Sequence, residues 1–234
     1  MNDFSDAFTA ALALVVGGDA DLLEIVGLSL SVSITAVSLA TVIGMPLGAA
    51  TALYKFPGRQ TLAVTLNALM GLPPVVVGLI VYLLLSRIGP FGVFGLLFSP
   101  SAMILAQVLL IVPIIAALSR QIVEDLWAEY REQLLSLGAS PTRRMLTLLW
   151  DGRFSLITAV LAGFGRASAE VGAVMIVGGN IDHVTRVMTT AIALEVSKGN
   201  LALALGLGMI LIALSLAVNA AAFMLKEAGT RGRS

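Results

Sequence analysis

Long apolar runs, nearly free of charge, alternate along this chain with short segments that hold most of its charged residues. The run at residues 25–54 contains no charge and is long enough, at about 1.5 Å per residue, to cross a hydrocarbon core of about 30 Å. Further runs follow at 60–86, 102–119, 154–177 and 201–225, so the pattern predicts five transmembrane helices. Phe4 to Val16 is apolar but too short to span, and reads as a short N-terminal surface helix or a partial insertion. Gly44, Pro46 and Gly48 predict a distortion late in the first span. Pro73 and Pro74, preceded by Gly71, remove two backbone donors and predict a kink in the second; it serves packing or lines a path. Gly178-Gly179-Asn180 ends the fourth, and Thr185 to Ser197 suits a short amphipathic helix with Val187, Ala191, Ile192 and Leu194 on its apolar side. The predicted fold class is an all-α polytopic membrane protein.

Charge decides the orientation. Lys55, Arg59, Arg120, Arg131, Arg143, Arg144, Arg153, Lys226, Arg231 and Arg233 fall on one side of five spans, and only Arg87, Arg186 and Lys198 on the other. Positively charged loops stay in the cytoplasm, which puts the N-terminus outside and the C-terminus inside. The predicted organisation is an extracytoplasmic segment 1–24, a membrane domain 25–225 with a cytoplasmic loop 120–153, and a basic tail 226–234. The first 24 residues carry acidic side chains and no Lys or Arg, unlike a signal peptide.

Composition agrees and narrows the chemistry. Mean hydropathy of +0.99 and 12% charged residues place the chain in the membrane class, and 234 residues leave no room for a separate soluble domain. There is no cysteine, which excludes disulfides and thiolate sites, and His183 alone cannot form a histidine metal cluster. No G-x-x-x-x-G-K-[ST] motif occurs, so ATP is not bound here through a P-loop. No cofactor and no nucleic-acid partner is expected.

The charged stretch from Glu129 to Trp150 is built to turn. Leu134, Leu135 and Leu137 suit a short helix, Gly138 the left-handed residue that ends it, Ser140 the cap of a second helix and Pro141 its first turn. It resembles the "EAA loop" of ABC-importer permeases, E-A-A, three residues, Gly, nine residues, then I-x-L-P. Glu132 takes the Glu position, Gly138 follows six residues later and Leu148 takes the Ile position. Gln133 and Leu134 replace the alanines, and Trp150-Asp151 replaces Leu-Pro. The resemblance implies that Arg131, Glu132, Leu135, Gly138, Ala139 and Arg143 form the surface that couples to a cytoplasmic ATPase.

Arg166 and Glu170 are the ionisable residues inside the fourth span, four apart and on one face of a continuous helix. Either charge alone at that depth costs roughly 3 kcal/mol or more. They serve as a structural ion pair or as part of a path or gate, together with Pro73 and Pro74. Gly165-Arg166-Ala167-Ser168-Ala169-Glu170-Val171-Gly172-Ala173 is similar to the A-R-x-x-G-E-x-G-A segment of permeases for molybdate, tungstate and sulfate, with Ala169 in place of Gly. Residues 174–181, 185–192 and 71–78 look closest to the tungstate type. The resemblance covers roughly residues 25–225.

That family implies a type I ABC importer fold, a homodimer of this subunit, cytoplasmic ATPase subunits that bind ATP, an extracytoplasmic binding protein and surrounding membrane lipid. It makes the chain a transport subunit and not an enzyme. Tungstate is favoured as the anion, with molybdate or sulfate as alternatives. A secondary transporter or channel that uses Arg166 and Glu170 directly stays open, although the chain lacks an evident internal repeat. Thr185, Arg186, Thr189 and Thr190 either touch an oxyanion near an outer gate or form the wet face of the amphipathic helix. His183 is assigned no role.

Overall fold

The computed structural model describes residues 2–231, and side chains over residues 7–224. Arg233 of the basic tail lies outside the described residues, as do the side chains of Asp3, Phe4, Asp6, Lys226 and Arg231. All regular elements among the described residues are helical: α1 (Asn2–Gly17), α2 (Ala20–Leu53), α3 (Arg59–Leu69), α4 (Pro74–Leu85), α5 (Pro100–Ser136), α6 (Pro141–Asp151), α7 (Arg153–Ser168), α8 (Gly172–Gly178), α9 (Met188–Lys198) and α10 (Leu201–Arg231), with one 3₁₀ turn at Gly92–Phe94. By length and composition α2, α5 and α10 can each cross a membrane. The bent pairs α3–α4 and α6–α7 raise the number to five if each pair is one span.

Three expectations need correction. The second run is broken, not kinked. Pro73 is extended (φ −64°, ψ 122°) because a proline following it forbids the helical region, and Pro74 opens a new helix. The helix that carries the third apolar run does not stop at residue 119. No Gly or Pro lies between Pro113 and Gly138, and Arg120 pairs with Glu124 one turn on, so α5 runs straight through the charged segment to Ser136. The fourth run is divided: α7 ends at Ser168, α8 starts at Gly172, and Glu170 lies between them.

The chain packs as two compact units. One holds residues up to Ala36, Pro73–Gln107 and Arg166–Val218. Its core gathers Leu22, Ile25, Met188, Ala191 and Leu207, with Leu14 and Val15 of α1 packed against them. The short N-terminal helix is therefore anchored, with Ala11 fully buried. α4 lies directly on α8, where Gly78 faces Ala173.

The other unit holds Val37–Leu72, Val108–Gly165 and the chain from Asn219 onward. Here α2 presses its backbone against α5. A Cβ on Gly48 would run into the Ala116 carbonyl oxygen, with Arg120 N at 2.9 Å and Ser119 Cβ at 3.0 Å. Only glycine allows that approach, the device membrane helices use to gain contact without a hydrophobic driving force. Beyond it Ala49, Ala52, Val123 and Leu148 form a buried cluster joining α2, α5 and α6.

Gly48→Val is expected to destabilise the protein by roughly 1–3 kcal/mol through overpacking, seen as a lower Tm in detergent. Gly27→Ala is the control: its added Cβ meets nothing within 4 Å, and it should leave Tm unchanged or slightly raised.

Candidate functional site

The end of α5, the turn after it and α6 form one exposed element. Gly138 has φ 64°, a left-handed conformation. Its N–H donates to the Leu135 carbonyl at 3.0 Å and the Ala139 N–H to the Leu134 carbonyl at 3.1 Å, which satisfies the last carbonyls of α5. Ser140 then caps α6, its Oγ accepting from Arg143 N at 3.4 Å, and Pro141 occupies the first helical position. The helix–glycine turn–helix expected from the sequence is present, with the difference that its first helix is the end of α5. Arg144 fixes the turn from the far side: Nε donates to the Ala139 carbonyl at 2.7 Å, and its guanidinium lies 5.9 Å from the centre of the Trp127 ring.

Arg131, Glu132, Leu135, Gly138 and Arg143 are all exposed and Ala139 is half-buried. A groove of about 280 Å³ lies between the two arms, lined by Tyr130, Gln133, Leu134, Leu137, Thr147, Leu148 and Asp151. Leu148 closes its floor and is 1% exposed. The element thus joins a capped turn to solvent-exposed apolar side chains such as Leu137.

Arg166 and Glu170 do come together, but across the end of α7 and not along a helix. Arg166 stands in the last turn of α7, where a cation meets the negative helix end. Its Nη2 is 3.7 Å from Glu170 Oε2, an ion pair longer than a hydrogen bond. Glu170 is buried and repairs the break in the helix. Its Oε1 accepts from Ala173 N at 3.0 Å, capping α8, and its backbone carbonyl accepts from Thr189 Oγ1 at 2.8 Å. Gln107 Nε2 donates to the Ala167 carbonyl at 3.3 Å, which also accepts from Glu170 N at 3.2 Å, so two donors converge on one carbonyl at the break. Glu170 is thus committed to structure. Arg166 keeps spare donors at its Nη groups, since its side chain is 34% exposed and Nη2 is too far from Glu170 for a hydrogen bond; its Nε is buried, without a hydrogen-bond partner among the described residues.

The outer-loop threonines are not a wet face. Thr185 and Thr190 are fully buried. Thr185 Oγ1 donates to the Gly178 carbonyl and accepts from Ile181 N, closing the turn after α8, while Thr190 Oγ1 is bonded to Val187. Thr189 holds Glu170 as described, and Arg186 is paired to Asp182 at 2.6 Å. The expected helix starts at Met188, so Thr185 and Arg186 precede it.

Three partners escaped the sequence reading. Ser29 Oγ accepts from Met188 N at 2.7 Å, a contact between positions too distant in sequence to be paired by inspection. Glu195 is buried, and hydrogen bonds from Lys198 and Asn200 hold its carboxyl below the usual range against the opposing effect of burial. The Glu195–Lys198 spacing was a visible signal. His183 Nδ1 sits 2.9 Å from Glu24 Oε2. That hydrogen bond and the Glu24 charge, with Asp182 and Asp21 adding, raise the imidazole pKa above 6.5.

No family model matches the chain. Individual relatives do. It is 42% identical over 219 residues, 91% of this chain and 94% of the relative, to a "Probable anion ABC transporter permease protein" of Haloferax volcanii. It is 38% identical over 227 residues, 97% of this chain and 100% of the relative, to the "Tungstate uptake system permease protein TupB" of Peptoclostridium acidaminophilum. A "Sulfate transport system permease protein CysW" of Synechococcus elongatus is more distant, 28% identical over 178 residues, 73% of this chain and 62% of the relative.

His183 is the only histidine, which makes its titration readable in the whole protein. By proton NMR its imidazole should titrate above 6.5, and Glu24→Gln should return it toward 6.5. Because the folded pKa is raised, the contribution of the pair is present below 6.5 and is lost as pH rises through the raised value.

Proposed function

The chain belongs to the ABC transporter permease family, and on that premise we propose that it forms the membrane path of an ATP-driven importer for an oxyanion, tungstate foremost. The observation that carries the choice of anion is the match to a tungstate-uptake permease across that relative's full length, at 38% identity, against 28% for a sulfate permease over part of its length. Molybdate and sulfate share the tetrahedral, doubly charged form and stay as the alternatives to test.

The assembly we propose contains two copies of this chain in a lipid bilayer, two cytoplasmic ATPase subunits that bind the ATP, and an external binding protein that delivers the anion. The chain itself has no P-loop and needs no cofactor. Its N-terminus lies outside and its C-terminus inside, by the distribution of Lys and Arg. The membrane domain comprises residues 25–225.

Arg131, Glu132, Leu135, Gly138, Ala139 and Arg143 meet the ATPase, and the rigid capped turn at Gly138 supports that role. ATP-driven closure of the ATPases moves the element as a body, and the spans rock between inward- and outward-facing states. Arg166 offers its free donors to the anion, while Glu170, Pro73 and Pro74 shape the helix ends beside it. Glu170 is a poor proton relay, because its carboxylate already caps α8; this favours the importer over a secondary transporter driven by that pair.

Two measurements test the proposal. In proteoliposomes holding this chain with its co-encoded ATPase, binding protein loaded with tungstate should stimulate ATP hydrolysis and uptake more than the molybdate or sulfate forms. A stronger response to another anion would replace tungstate, and indifference to all three would remove the oxyanion. Gly138→Val forces a β-branched residue to φ 64°, a strain of about 1–2 kcal/mol. It should leave membrane insertion intact and lower uptake per ATP hydrolysed; normal uptake would exclude the turn from coupling.

A further inference from the structure

α2 ends at Leu53 without a glycine cap, which leaves its last carbonyls in need of donors. Arg59, at the start of α3, supplies them. Its Nε donates to the Thr51 carbonyl at 2.6 Å and its Nη2 to the Ala52 carbonyl at 2.9 Å. The same Nη2 reaches Glu124 Oε1 at 3.1 Å, on the part of α5 that leads to the Gly138 turn. Glu124 is gripped a second time by Arg120, whose Nε and Nη2 lie 3.0 and 3.2 Å from its two oxygens. One carboxylate therefore ties the end of α2 and the start of α3 to α5. Next to it in sequence is Val123, fully buried in the cluster where Leu148 of α6 meets Ala49 and Ala52 of α2.

We propose that Glu124 is a positioning residue for transport: with Arg59 it clamps α2 and α3 to α5, so that a displacement of the α5–α6 element carries both helices with it. The role rests on the ATP-driven reading given above. Two features separate it from ordinary stabilisation. The Arg59 and Glu124 side chains are each 33% exposed, and an ion pair that open to solvent adds little to stability. The guanidinium also spends its donors on two backbone carbonyls and a carboxylate at once, which fixes the direction of α2 relative to α5 and transmits a push that a flexible contact would absorb.

The test uses the complete assembly in proteoliposomes and reads anion uptake per ATP hydrolysed, with Tm and the amount of bound ATPase measured alongside. Glu124→Ala should lower the ratio about threefold to tenfold while hydrolysis continues, with the ATPase still bound and Tm nearly unchanged. Glu124→Asp, which keeps the charge, should recover part of it. Arg59→Lys keeps a cation near Glu124 but carries its donors on one nitrogen, so it loses the separate contacts that Nε and Nη2 make. It should also lower the ratio, and it serves as the deciding variant if Glu124→Ala fails to assemble. An unchanged ratio, or hydrolysis and uptake falling in proportion, would overturn the clamp while normal wild-type coupling left the transport reading intact. A wild-type assembly that neither responds to loaded binding protein nor takes up anion would overturn both.

Discussion

Wherever a helix of this chain stops, its last carbonyls and the first N–H groups of the next helix must find partners, because hydrocarbon offers none. The chain stops often, and several of the stops are repaired by a specific side chain. Between α7 and α8 the work is shared by Glu170, Gln107 and Thr189. After α8 it falls to Thr185, which bridges Gly178 and Ile181. At the end of α2 it falls to Arg59. Polar residues in an otherwise apolar protein are thus first of all the means by which helices can be interrupted, and interruptions are what shape a path through a bundle.

This changes the meaning of the charged residues. A carboxylate that caps a buried helix is held by directed hydrogen bonds and has a fixed position. Glu170 is such a group, and its partner Arg166, 34% exposed and 3.7 Å away, is left with Nη donors to spare. An anion crossing the membrane needs a donor that is present, oriented and not already spent. In the transport role proposed above, the asymmetry of the pair is what would leave Arg166 able to supply it.

The element formed by the end of α5 and by α6 follows different rules. Its turn is repaired locally, by Gly138, Ala139 and Ser140 bonding to residues within five positions. A locally closed turn keeps its shape without help from distant segments, and it can therefore stand out exposed and still be rigid. Rigidity at the turn, a buried Leu148 behind it and the Arg59–Glu124 contact beside it are the elements a mechanical coupling requires.

What the sequence determined by itself was whatever depends on near neighbours and on composition. Apolar run length identified a polytopic helical membrane protein, the Lys and Arg pattern predicted an orientation, and Gly138, Ser140 and Pro141 specified the capped turn, since each acts on its own backbone. The Glu132-to-Gly138 spacing and the segment around Arg166 carried the family. What only the tertiary structure decided were the matters settled across long separations. Pro73-Pro74 became a break and not a kink, α7 ended at Ser168, and Thr185 and Thr190 turned inward. The sequence around Ala167 to Glu170 is locally content to be helical. It is interrupted at the point where Gln107 and Thr189, brought from far along the chain, bond the carbonyls of Ala167 and Glu170. The Arg59–Glu124 clamp is of the same kind: each residue alone reads as one more charge at the membrane edge, and only the fold puts them 3.1 Å apart.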